Sequence, residues 1–223
     1  VLHHTAGRLD AAGSRYRQAL DLDPGMAEAR QNLERIDGRP DAENEAADLY
    51  RQGRREEALA ACQHLLEAKP DDVDTLNFAA VIALELGDGE QSIAFLTTAI
   101  DRRPEFFEAQ VNLGNALRTL GKPEDSVAAY ERALEIDPDR AAAHVNLGNA
   151  LHELSRLEQA ADAYRRAIAL EPNLAAAHND LGTVLHELGD VDGAIGAYRR
   201  TIEVAGGHVD AAYNLARLLQ NEG

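Results

Sequence analysis

Prolines stand at positions 70, 104, 138 and 172, thirty-four residues apart, and Gly206 takes the next place in the series. A period in the range of ~20–50 residues constrains the fold more than any local propensity, because it marks a chain of stacked supersecondary units. Whole lines recur at the same spacing. AAAHVNLGNALHEL at 141–154 and AAAHNDLGTVLHEL at 175–188 agree at ten of fourteen positions.

Each unit has one internal layout. In residues 107–140, Leu113 and Gly114 fall in a first helix and Gly121 marks a turn. Ser126, Tyr130 and Ala133 then share a face of a second helix, which ends at Pro138 because proline lacks an N–H and crowds the preceding turn. Leu147, Gly148, Ala160, Tyr164, Ala167 and Pro172 repeat the scheme, followed by Leu181, Gly182, Gly189, Ala194 and Tyr198. Apolar residues three and four apart put these features on a buried stripe. Gly114, Gly148 and Gly182 are expected to let two helix backbones approach, and Tyr130, Tyr164 and Tyr198 to fill the space between successive hairpins. One hairpin cannot bury its own faces, so stability has to come from stacking.

These residues resemble the tetratricopeptide repeat, a helix–turn–helix unit with small, aromatic and proline positions in this order. The resemblance covers nearly the whole chain and implies an all-α fold, a right-handed α-solenoid. The repeats are 39–72, 73–106, 107–140, 141–174 and 175–208, with a partial one at 209–223. In the first two, Ala46 and Ala80 replace the glycine, and Cys62 and Leu96 replace the tyrosine. Pro24 precedes Pro70 by forty-six residues, twelve more than the period. AEARQNLERID at 27–37 therefore reads as an unpaired helix, with a partial repeat before it, and 1–38 is expected to be set apart from 39–223. The chain starts on Val1 within a first helix and closes on Gly223 at a turn. Leu215, Leu218 and Leu219 lie in the last helix with no partner following. The expectation is a piece of a longer protein, or ends that pair between molecules.

Composition narrows the partners. The formal charge is −17, and only Lys69 and Lys122 among 22 basic residues are lysines. Such a chain repels phosphate backbones, so no nucleic acid partner is expected and a basic or neutral polypeptide is favoured. No apolar run approaches the ~20 residues of a membrane span. The lone Cys62 cannot form an internal disulfide, which fits a reducing compartment, and the expected location is cytoplasmic. Catalysis has no motif to rest on: the sequence holds no Gly-rich phosphate loop, no H-E-x-x-H and no G-x-S-x-G. No cofactor and no metal are expected.

In the tetratricopeptide superhelix the first helices line the concave face. Counted from the start of each repeat, the sixth position holds Asn44, Phe78, Asn112, Asn146 and Asp180, with Asn214 in the partial repeat. Asn115, Asn149 and Thr183 stand at position nine, three residues on and on the same helical face. A row of carboxamides offers donors and acceptors to the backbone of an extended peptide. The pattern is similar to the asparagine ladder in the superhelix of O-linked N-acetylglucosamine transferase, which holds peptide backbone, and bacterial tetratricopeptide proteins share the general appearance. Phe78 departs from it. Bonding of these Asn residues across the helix pair is the alternative, and both readings stand at this stage.

Asn179 at position five and Arg118, His152 and His186 at position twelve complete the candidate peptide-binding set. His152 and His186, beside Glu153 and Glu187, lack the tight local spacing of zinc motifs and read as solvated groove residues. His144 and His178 read as fillers of the inter-helix seam. Three functions follow. The first is a non-catalytic scaffold binding an extended protein segment in the groove. The second is a substrate-recruiting arm of a larger glycosyltransferase or sulfotransferase-like enzyme. The third is a scaffold that self-assembles through its end helices.

Overall fold

A computed structural model of the protein describes residues 42–221. The unpaired helix and partial repeat expected over 1–38 lie outside the described residues. Among those described, the secondary structure is entirely helical. The chain divides into two compact units, Val1–Pro104 and Glu105–Gly223.

The first unit holds α1 (Ala42–Arg51), α2 (Arg55–Ala68), α3 (Val73–Glu85) and α4 (Gly89–Arg102). Its core gathers Ala46, Ala58, Cys62, Ala79 and Ile82, with Tyr50 and Phe78 packed against it. Burial pushes the Cys62 thiol up to about 12, so at neutral pH it is a protonated core residue and a poor nucleophile.

The second unit holds α5 (Phe107–Thr119), α6 (Pro123–Ile136), α7 (Ala141–Glu153), α8 (Leu157–Leu170), α9 (Ala175–Glu187), α10 (Val191–Ala205) and α11 (Val209–Asn221). Neighbours in sequence pack as neighbours in space, each helix against the one before and the one after. Tyr130, Tyr164 and Tyr198 are buried in one continuous cluster with Leu151, Leu181 and Leu185. Leu218 joins that cluster and Leu215 packs on it, both against the helices before them. Leu219 stays 46 % exposed.

The hairpin turns explain the glycines at 87, 121 and 189. After α5, Gly121 N–H bonds to Arg118 O and Lys122 N–H to Leu117 O, a closure that needs a left-handed residue. Gly121 supplies it at φ 69°. Ser155 holds the same place after α7 at φ 55°, with the same two bonds from Ser155 and Arg156.

The glycines inside the first helices act differently from the expectation. A Cβ on Gly114, Gly148 or Gly182 would lie 2.5, 2.6 or 2.8 Å from a ring carbon of Tyr130, Tyr164 or Tyr198. The absent side chain makes room for the tyrosine of the same repeat, rather than for a second backbone. In the first unit, where Cys62 and Leu96 replace that ring, Ala46 and Ala80 carry a methyl and are buried. The two positions exchange volume as a pair.

Candidate functional site

The candidate face is built by α5, α7, α9 and α11 of the second unit. Residues at positions six, nine and twelve of a repeat are three apart, so each helix presents all three on one side. The structure gives the three rows different tasks.

Position nine serves the fold. Tyr130 O–H donates to Asn115 Oδ1 at 2.7 Å, and Tyr164 O–H to Asn149 Oδ1 at 2.7 Å. Burial pushes both phenol pKa values up, which keeps them donors. Thr183 takes the equivalent place in the next repeat, with its hydroxyl 3.2 Å from that of Tyr198 and 3.3 Å from Asn179 O.

Position six is partly exposed, as position nine is. Asn112, Asn146, Asp180 and Asn214 are all partly exposed. Asn146 Nδ2 reaches Asn115 Oδ1 at 3.4 Å, tying α7 to α5. Asn179 Nδ2 donates to Asp180 Oδ1 at 3.2 Å, while Asn179 Oδ1 is buried with no partner among the described residues. Burial raises the Asp180 pKa, opposed by the Asn179 hydrogen bond and by His152 and His208. Phe78, which interrupts the row in the first unit, packs edge-on against Tyr50 with ring centroids 5.4 Å apart. The side chain of Asn44 is outside the described set.

Position twelve staples one repeat to the next. Arg118 Nη1 meets Glu153 Oε1 at 2.8 Å, and His152 Nε2 lies 3.0 and 3.1 Å from the two oxygens of Glu187. Tyr50 and Glu85 make the same contact in the first unit at 2.5 Å. His152 is thus paired rather than simply solvated, and His186 Nδ1 is buried without a partner among the described residues. The acidic partners Glu153 and Glu187 were absent from the sequence-derived set. Their signal was the recurrent H-E pair, read at an offset of one period plus one.

His144 and His178 do more than fill a seam. Each ring Nε2 lies against the carbonyl of the proline six residues earlier, Pro138 at 2.9 Å and Pro172 at 3.0 Å. These bonds fasten each first helix to the turn before it. Among the described residues, no group of three His, Cys, Asp or Glu side chains is gathered to hold a metal ion. No described helix is long and apolar enough to cross a membrane.

Two sequence models of the tetratricopeptide repeat match the chain, one at residues 111–175, 147–207 and 179–222, the other at 49–117. No curated protein matches it. Among solved structures, MamA from Desulfovibrio magneticus RS-1 is similar at 22% identity and a TM-score of 0.69, over 74% of this chain and 93% of that one. TTC0263, a thermophilic TPR protein in Thermus thermophilus, is similar at 23% identity and a TM-score of 0.60, over 79% and 96%. YrrB, a TPR protein with an unusual peptide-binding site, is similar at 18% identity and a TM-score of 0.66, over 89% and 96%. At these identities the likeness is one of fold.

Proposed function

The chain belongs to the tetratricopeptide repeat family, a family of protein-interaction scaffolds, and on that premise we propose that its second unit holds an extended segment of a partner protein without chemistry on it. The observation that carries this reading is the division of labour between the asparagine rows. Position nine gives its oxygens to tyrosine hydroxyls, and position six places a polar side chain, Asn112, Asn146, Asp180 or Asn214, once per hairpin on the same partly exposed face. A carboxamide both donates and accepts, so one per repeat can follow the alternating N–H and C=O groups of a peptide backbone whatever its side chains are. The binding set then centres on position six, with Arg118, His152 and His186 along its edge. The peptide-binding site that gives YrrB its description supports the same kind of role here.

The test is a triple substitution, Asn112→Ala, Asn146→Ala and Asn214→Ala. Peptides would be selected from a displayed random library on the purified chain, and their affinity measured by fluorescence anisotropy. Each hydrogen bond contributes about 0.5–1.5 kcal/mol net, so the triple variant should bind roughly 10-fold to 1,000-fold more weakly. Its thermal melt should move little. Unchanged affinity would overturn the reading.

A further inference from the structure

Three carboxylates lie along the first-helix face of the second unit, and they differ in how they are compensated. Glu153 is paired with Arg118, and Glu187 with His152. Asp180 forms no ion pair among the described residues. Its hydrogen-bond donor among the described residues is Asn179 Nδ2, which occupies Oδ1 at 3.2 Å. Oδ2 accepts from no described group.

Nothing in the fold calls for a carboxylate here. The neighbouring steps, Asn146 and Asn214, fill the same register with carboxamides of nearly the same shape. A carboxylate only accepts, so it loses the ability to donate to a peptide carbonyl that every other step keeps. Partial burial also makes a carboxylate costly, and His152, His208 and the Asn179 hydrogen bond offset that cost only in part. A cation delivered by the ligand would offset the burial cost and suit a group that only accepts.

We propose that Asp180 is a register-setting subsite that receives a lysine side chain of the bound segment. This rests on the reading that the face holds an extended chain, and adds to it a side chain that fixes where along the row the chain sits. Lysine fits better than arginine because one carboxylate oxygen is already committed to Asn179. An ammonium needs a single acceptor, whereas the guanidinium fork is used fully only when both oxygens are open. Asn179 acts as a positioning residue, holding the carboxylate through Oδ1 so that Oδ2 stays available. The other steps supply backbone bonds and are indifferent to sequence.

The experiment uses the whole chain and a randomised peptide library displayed on phage, selected separately on the unsubstituted protein and on Asp180→Asn. The unsubstituted chain should enrich peptides with lysine at one aligned position, and Asp180→Asn should not. For one selected peptide, replacing that lysine by norleucine should weaken binding about 10-fold to the unsubstituted chain and less than about 3-fold to Asp180→Asn. A norleucine penalty of equal size in both proteins would overturn the subsite. So would selected peptides that depend on Asn146 yet show no lysine, and in that case the chain-binding reading would survive. Failure to enrich any peptide over the bare support would overturn both. A melting curve for Asp180→Asn keeps the comparison to folded protein.

Discussion

The hydroxyl of Tyr164 donates to Asn149 Oδ1 at 2.7 Å, fifteen residues back on the preceding helix of the same repeat. The pair Tyr130–Asn115 repeats the contact at the same distance. A buried phenol has to place its proton on an acceptor, and the first helix supplies one on the residue directly after the glycine that admits the ring. Glycine, asparagine and tyrosine are thus one device. The glycine makes the space, the tyrosine fills it, and the asparagine satisfies the polar end.

If this device is structural, Asn149→Ala should destabilise the fold more than Tyr164→Phe. The first leaves a buried hydroxyl without an acceptor, at a cost of about 1–3 kcal/mol. The second removes the donor from an acceptor that is still partly in contact with water, at about 0.5–1.5 kcal/mol. Urea unfolding of both single variants and the double variant should give a coupling energy near 1 kcal/mol. A neutral Asn149→Ala combined with lost peptide binding would instead make position nine a ligand row.

Two glycine substitutions should have opposite signs. A methyl on Gly148 would lie 2.6 Å from Tyr164 Cε1, and the ring is enclosed, so Gly148→Ala should destabilise by about 1–3 kcal/mol. Gly196 lies inside α10 with nothing within 4 Å of a new Cβ. There Gly196→Ala should stabilise by about 0.5–1 kcal/mol through helix propensity alone. Equal effects at the two sites would mean that the glycine–tyrosine contact carries no packing constraint.

Ser155 is the one described non-glycine residue with positive φ, at 55°, in a place where Gly121 and Gly189 stand in the flanking repeats. Its Cβ crowds the following carbonyl in that conformation, by roughly 1–2 kcal/mol. The two closing bonds from Ser155 and Arg156 are backbone bonds that glycine would keep. Ser155→Gly should therefore raise stability by about 1 kcal/mol, read as a higher urea midpoint with an unchanged slope. No gain would imply that the serine hydroxyl compensates the strain.

These relationships divide into what the repeat period reveals and what it does not. Helix order, the turns at Gly121 and Gly189, and the helix ends near Pro138 and Pro172 were legible, because a repeated breaker and a repeated apolar stripe are local properties of the chain. The partners of Asn115, Asn149 and His152 were not. Whether Asn149 faces solvent or the Tyr164 hydroxyl depends on how far the second helix is rotated against the first, and a period carries no rotation. The pairs Arg118–Glu153 and His152–Glu187 join residues thirty-five apart, so aligning the repeats position by position sets each partner one column away. The exchange of Gly–Tyr for Ala–Cys at Ala46 and Cys62 was visible as a substitution in each column. Its meaning as a compensated sum of volumes needed the contact.

The proposed lysine subsite has a consequence for stability that needs no ligand. Burial is the largest influence on the Asp180 carboxyl and raises its pKa, with the Asn179 hydrogen bond and the charges of His152 and His208 acting against it. The native state therefore binds this proton more tightly than the unfolded chain does. Asp180 favours folding below the unfolded carboxylate value, about 3.9, and that contribution is lost as pH rises through the higher native value. At pH 7 the ionised group is a net burden, and Asp180→Asn should melt higher than the unsubstituted protein. The difference should shrink as pH falls through the window between the ordinary and the raised value. Differential scanning calorimetry of the two proteins from pH 7 to pH 4 reads this directly. A variant less stable at pH 7, or a difference independent of pH, would show that the carboxylate is already compensated within the fold, leaving no vacancy for a cation from the partner.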